Sequence, residues 1–182
     1  MEIIVLDIET TGFYPKKGDV MVELGMALVD TDAKTIKRLF DAVVLDDKFD
    51  TVNTHAYSWI FKNSTLRVSD VMNANSLESY RDEIQGYLDK YPITAFNMKF
   101  DTSFMAENGF TFKKTKCLME ASHPYNVNLD KRGRTKIPNV EEIYNQFYPN
   151  EKYVETHRAY DDAYHEGKIL LKLVELKQKK DK

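Results

Sequence analysis

A chain of 182 residues has the length of one domain, and its 42% hydrophobic and 12% aromatic content is enough to bury a core of that size. No apolar run approaches the roughly 20 residues that cross a bilayer, and the opening MEIIVLDIE has neither the basic flank nor the cleavage site of a signal peptide, so a cytoplasmic protein with no membrane partner is expected. A net charge of −3 argues against broad positive potential as a grip on polyanions, and the single cysteine, Cys117, reads as a small buried residue.

EIIVLDIE reads as a short buried strand, and TTGFYPKKGD after it supplies Gly12, Pro15 and Gly18 as turn residues. VMVELGMALVD is a second strand; the polar turn at residues 30–34 leads to a third, TIKRLFDAVVL, so the first 45 residues resemble an antiparallel meander. Residues 46–90 carry helical spacing, clearest in SLESYRDEIQGYLDKY, where Leu77, Tyr80, Ile84 and Leu88 recur and Ser76 suits an N-cap. PITAFN reads as a fourth strand, FDTSFMAENG as a helix entered at Asp101 and stopped by Gly109 with Phe104 inward, and FKKTKCLM as a weaker fifth strand. PNVEEIYNQF, with Pro138 near its start, and AYDDAYHEGKILLKLVELK are further helices. Strands first, then alternating helix and strand, suggest an α/β mixed sheet flanked by helices. One domain is expected over residues 1–176, with a charged tail at 177–182. The polar stretch 122–136 holds Lys131, Arg132, Arg134 and Lys136; a solvated loop is its simpler account, and contact with substrate phosphates the alternative.

Alternate strand residues share a face, so Asp7 and Glu9 project together from the end of an apolar strand. Two such charges repel unless a cation or a proton lies between them, and hard carboxylate oxygens suit Mg²⁺ or Mn²⁺. On this stretch alone the alternative stands equally: the strand has ended and both acids are solvated. Further acids lie beside core elements. AFNMKFD places Asp101 where a strand passes into a helix, four residues after Asn97, and HRAYDDA places Asp162 early in the last long helix, five residues after His157. Each is ordinary by itself, because aspartates favour helix starts and most histidines are structural. Asp161 reads as a helix N-terminal charge paired with His165 one turn on, and His55 and His123 carry no motif.

DIETTG at residues 7–12, NMKFD at 97–101 and HRAYDD at 157–162 follow one another in the order and spacing of three known motifs. Over about residues 2–176 the chain resembles the DEDDh (DnaQ-like) 3′–5′ exonuclease superfamily, which includes the proofreading epsilon subunit of bacterial DNA polymerase III. The resemblance implies an RNase H-like fold with a five-stranded mixed sheet, three antiparallel strands and then two parallel ones, flanked by helices. It implies that Asp7, Glu9, Asp101 and Asp162 hold two Mg²⁺ or Mn²⁺ ions and that His157, on a loop able to swing onto the site, is the general base. A sister branch has tyrosine where this chain has Arg158, so the histidine branch is the better match. Two bound divalent ions would bring the net charge to about +1, so the acidic composition does not exclude a polyanionic substrate.

What the resemblance implies for chemistry is hydrolysis of phosphodiester bonds from the 3′ end of single-stranded DNA or RNA, releasing nucleoside 5′-monophosphates. One metal would activate a water and the other stabilise the leaving oxygen, while an imidazole takes the water's proton near neutral pH. Thr10, Thr11, Gly12 and Phe13 would contact the terminal nucleotide, Asn97 would orient, and Phe61 or Trp59 would stack on a base. The stretch FKNS, residues 61–64, departs from the family's His-Gly pattern there, and a core role for both aromatics stands beside the stacking one. A DNA polymerase is one conceivable partner. Two other classes remain: a non-catalytic nucleic-acid-binding or polymerase-docking module with the same fold, and a generic metal-dependent phosphohydrolase or nucleotide-binding protein. The sequence has no Gly-x-x-x-x-Gly-Lys phosphate loop for the last.

Overall fold

The computed structural model describes residues 1–52 and 55–180. Three antiparallel strands come first, β1 (Glu2–Thr10), β2 (Met21–Asp30) and β3 (Thr35–Val43), and β4 (Ile93–Thr94) adds parallel to β1, giving the order β3-β2-β1-β4. The helices are α1 (Ile60–Asn63), α2 (Val68–Met72), α3 (Arg81–Lys90), α4 (Met98–Glu107), α5 (Leu118–Ser122), α6 (Val140–Phe147) and α7 (Ala159–Lys180).

Alternation along β1 divides the core. Ile4, Leu6 and Ile8 pack with Ile84 and Leu88 of α3 and with Phe104 and Met105 of α4. Val5 faces the other way, into a second cluster with Ile143 and Tyr144 of α6 and Ile169 and Leu173 of α7. Asp7 and Glu9 continue the Val5 parity, so both acids point toward the side that α6 and α7 cover. β2 lies between β1 and β3 and is buried from Met21 through Val29, which is why its sequence is a nearly unbroken apolar run.

One glycine sets the height of the last helix. Gly25 lies opposite Asp7 in the sheet, and a Cβ there would meet the backbone of Ala159 and Tyr160 at 2.3 Å. The start of α7 therefore rests directly on β2 beside Asp7, which carries Asp162 over the end of β1.

The sheet has four strands and not the five expected. FKKTKCLM does run beside β4, with the Ile93 amide donating to the Lys113 carbonyl and the Thr115 amide to the Ile93 carbonyl, both at 2.8 Å. It forms only an isolated bridge at Lys114, because its partner β4 is two residues long and Lys113, Lys114 and Lys116 are exposed, while Cys117 and Leu118 beyond them are buried. β4 itself is shorter than PITAFN suggests. The helix expected to open at Asp101 opens at Met98 with Asn97 as its cap residue, and it stops before Gly109, whose φ of 81° is left-handed. The described residues of 46–80 form short separate turns and helices before α3; the Ser76 side chain accepts from the Ser79 amide at 3.2 Å, at the start of the helical turn that leads into α3. The last helix continues through Lys180, into the stretch read as a tail.

Candidate active site

The ends of β1 and β4, the start of α4 and the turn before α7 meet around one cleft of about 450 Å³. It is lined by Asp7, Glu9, Thr10, Thr11, Gly12, Phe13, Asn97, Asp101 and His157 of the expected residues, together with Trp59, Ile60, Phe96, Phe100, Val140, Glu155 and Glu166. Asp162 joins it from above: one ligand atom each from Glu9, His157 and Asp162 lie within 4.8 Å of one another. Phe61 is not among the lining residues; it packs beside Val20, Val22 and Ile60 and meets Phe49 edge-on. Trp59, 57% exposed, is the aromatic at the cleft, with its ring edge-on to His157 at 4.7 Å.

The turn carrying His157 is held from two sides. The Asp162 carboxylate accepts from the amides flanking the histidine, Thr156 at 3.3 Å and Arg158 at 3.1 Å, and from the Tyr153 hydroxyl at 2.5 Å. Arg158 in turn reaches across to Glu23 on β2, donating from Nη2 at 2.7 Å and from Nε at 3.0 Å. Between these anchors His157 takes a left-handed φ of 53°, costly for a residue with a Cβ and held here by its neighbours. The backbone on both sides of His157 is therefore tied to α7 and to β2.

Burial and mutual repulsion raise the carboxyl groups. Burial pushes Glu9 up to about 9, with Asp162 and Glu23 adding to it, and pushes Asp101 to about 7 although the amide of Ile8 opposes the shift. Asp7 is raised well above the ordinary aspartate range, first by burial and then by the charges of Glu166 and Glu9. Asp162 is raised by burial against the pull of its hydroxyl and amide donors. Hard oxygens this crowded in an apolar cleft repel one another unless protons or a cation lie between them, and the donor set fits a hard divalent cation such as Mg²⁺ or Mn²⁺.

Four residues escaped the sequence reading. Glu166, 2% exposed, lines the cleft and accepts the Phe96 amide at 3.0 Å, tying α7 to the turn that leads to Asn97 and Asp101. Its signal was there: it lies one helical turn beyond Asp162. Glu155 also lines the cleft and is pushed up to about 7 by burial and then by Asp162. Glu23 lies opposite Glu9 in the sheet, 1% exposed, and a carboxylate amid VMVELGMALV was the clue to it. Nothing in the sequence marks Tyr153. At the mouth of the cleft, Phe13 and Phe100 stand 6.1 Å apart, and the Thr11 hydroxyl accepts the Val20 amide at 2.9 Å, tying that turn to the start of β2. Asp161 meets His165 as expected, at 3.7 Å.

A family model described as an exonuclease, RNase_T, matches residues 4–170. The chain belongs to this exonuclease family. No curated protein sequence matches it. The nuclease domain of 3′hExo, a DEDDh family member bound to rAMP, has a TM-score of 0.68 to the exonuclease at 15% identity, over 96% of this chain and 92% of that one. Cell-death related nuclease 4 (CRN-4) has a TM-score of 0.71 at 13% identity, over 96% and 64% of the two chains. E. coli Exonuclease I in complex with a dA16 oligonucleotide has a TM-score of 0.65 at 15% identity, and there the exonuclease spans 41% of the larger chain. These likenesses are of fold, and the fold is the RNase H-like one of DnaQ-type, DEDDh exonucleases. No helix of the described residues is long and apolar enough to cross a membrane.

Proposed function

We propose that the exonuclease removes nucleoside 5′-monophosphates from the 3′ end of single-stranded DNA or RNA, using residues 1–176 as one catalytic domain. Asp7, Glu9, Asp101 and Asp162 hold two Mg²⁺ or Mn²⁺ ions, which when bound activate the attacking water and neutralise charge on the leaving oxygen. The single observation that carries the reading is the double anchorage of Asp162. The carboxylate expected at the metal also accepts the amides on both sides of the expected base, so His157 is set in place by the group it must work beside.

The rest follows from the residues around the cleft. His157 takes the water's proton, and its turn is held on β2 through Arg158 and Glu23. Phe13, Phe100 and Trp59 offer apolar surface to the terminal bases, an interaction that tolerates any sequence. Asn97 caps α4 without using its side chain, which is left to orient the sugar or phosphate. A non-catalytic binding module would have no need of a mutually repulsive carboxylate set in an apolar cleft, and the raised carboxyl groups disfavour that alternative.

A 5′-labelled single strand, as DNA and as RNA, incubated with Mg²⁺ or Mn²⁺ tests the proposal. Shortening from the 3′ end is expected, abolished by EDTA and by Asp7→Ala; an unchanged ladder in that variant would sink the mechanism. His157→Ala should lower the rate by roughly 10² to 10⁴ and spare Mn²⁺ affinity. If Mn²⁺ affinity falls as far as in Asp162→Ala, His157 is a ligand and not the base.

A further inference from the structure

The basic stretch before α6 is an ordered element. Residues 126–137 form a short antiparallel hairpin in which Leu129 bridges Thr135, the Lys136 amide donates to the Asn128 carbonyl at 2.9 Å and the Asp130 amide to the Arg134 carbonyl at 2.7 Å. Asp130 holds the tip: its carboxylate accepts from the amides of Arg132 at 2.8 Å and Arg134 at 3.0 Å and pairs with the Arg134 guanidinium at 2.9 Å. Gly133 supplies the left-handed φ of 73° that the turn needs. At the base, the Asn126 side-chain amide donates to the Lys136 carbonyl at 2.7 Å.

The hairpin exposes two kinds of surface. Val127, Leu129 and Ile137 are 72%, 64% and 61% exposed. Alternate residues of a strand share a face, and so do directly opposed ones, which puts all three on one apolar side. Arg134 and Lys136 are paired with Asp130 and Glu142, whereas Lys131 and Arg132 at the tip have no ion-pair partner among the described residues. Ile137 is three residues before Val140, which lines the cleft, and three residues reach roughly 10 Å at most, so the end of the hairpin nearest α6 lies within that distance of a lining residue.

We propose that this hairpin is the docking surface for the single strand 5′ of the nucleotide in the cleft, with phosphates on Lys131 and Arg132 and bases against Val127, Leu129 and Ile137. It rests on the exonuclease reading above. A basic tip joined to an apolar face complements a polymer that carries regular negative charge and flat bases. Three aliphatic side chains fall well short of the roughly 800 Å² that each partner gives to a stable protein interface, which disfavours a protein here.

Two variants test it, Lys131→Ala/Arg132→Ala and Val127→Ser/Leu129→Ser/Ile137→Ser, each compared with wild type in Mg²⁺. The substrates are a strand of about 20 nucleotides, the same strand with abasic upstream positions, and the nitrophenyl ester of thymidine 5′-monophosphate. The tip variant should raise KM for the long strand about 10-fold and make the log–log salt slope shallower by about 1.4, two contacts at roughly 0.7 each. It should cleave the small ester at the wild-type rate. The apolar-face variant should raise KM for the base-bearing strand and leave the abasic one unchanged. Wild-type KM and salt slope in both variants would overturn the proposal, as would a change confined to self-association. Anisotropy of a fluorescent strand separates the two levels. An unchanged Kd in the tip variant overturns the hairpin; a weakened Kd in the tip variant, with a wild-type chain that hydrolyses nothing, supports the hairpin and overturns the exonuclease reading alone.

Discussion

Arg158 grips Glu23 across the sheet with Nη2 at 2.7 Å and Nε at 3.0 Å, and its remaining terminal nitrogen reaches the Thr65 hydroxyl at 3.1 Å. The Glu23 side chain is 2% exposed and lies opposite Glu9, so the guanidinium partly offsets a buried charge that bears on the metal-side carboxylate. Removing the arginine leaves that carboxylate with the Ala159 amide, a loss below the roughly 3–5 kcal/mol of a fully buried pair because the guanidinium is 37% exposed and screened by water. Arg158→Lys keeps a charge but not the fork. We expect Arg158→Lys to melt within a few degrees of wild type and to lose about 10-fold in kcat with KM unchanged, because the His157 turn loses an anchor. Melting curves with single-turnover rates check this; a rise in KM alone would assign Arg158 to substrate binding.

Tyr153 touches the same turn from beneath. Its hydroxyl donates to Asp162 Oδ1 at 2.5 Å while its ring stacks on His165 with centroids 4.1 Å apart. Tyr153→Phe keeps the stack and deletes the donor. Removing a group that orients a metal ligand costs about 10- to 100-fold in metal affinity, and that is the loss expected for Mn²⁺ by calorimetry. The cost in stability should stay near 1 kcal/mol, since the Thr156 amide still reaches the same oxygen.

Gly25 and Gly86 make a matched pair. A Cβ at Gly25 would collide with the backbone at the start of α7 at 2.3 Å, whereas a Cβ at Gly86, on the exposed side of α3, meets nothing within 4 Å. Gly25→Ala must lift α7 and Asp162 away from Asp7. We expect a destabilisation of at least about 3 kcal/mol together with lost activity. Gly86→Ala should be stabilising by roughly 0.5–1 kcal/mol with activity unchanged. Thermal melts of both, with rates on one strand, check the pair.

How legible the exonuclease was depended on whether a residue acts locally. Asp7 and Glu9 could be read because strand parity puts them together, and Asp101, His157 and Asp162 because the family motifs preserve their spacing. β1, β2 and β3 were legible as runs of aliphatic residues bounded by turn residues, and β2 lies between the other two and is buried along nearly its whole length. FKKTK misled because its partner is only two residues long and pairing cannot propagate along it. Tyr153 was hidden because no spacing marks a tyrosine that reaches Asp162 from the loop nine residues before it, and the Arg158–Glu23 pair because it joins segments far apart in the chain. Glu23 and Arg158 are 135 residues apart, and no local pattern encodes that meeting.

The raised carboxyl groups set a pH signature for the metal-free protein. Glu9 moves from an ordinary 4.5 to about 9 and Asp101 from 3.8 to about 7, both chiefly through burial, and Asp7, Asp162 and Glu166 shift the same way. Between those limits the folded chain holds protons that the unfolded chain has released, so the stability falls as pH rises. For Glu9 it is complete below about 4.5 and drains away through about 9. Divalent cations act in the opposite sense, because they bind the ionised groups and expel the protons. In EDTA, Tm should therefore fall steadily from about pH 5 to about pH 9, and the rise in Tm on adding Mg²⁺ or Mn²⁺ should grow over the same range. Calorimetry of Mn²⁺ binding in buffers of different ionisation enthalpy should show protons released on binding near neutral pH. A flat profile in EDTA with no proton release would mean that the carboxylates ionise unaided, and the physical reason for a cation in the cleft would be gone.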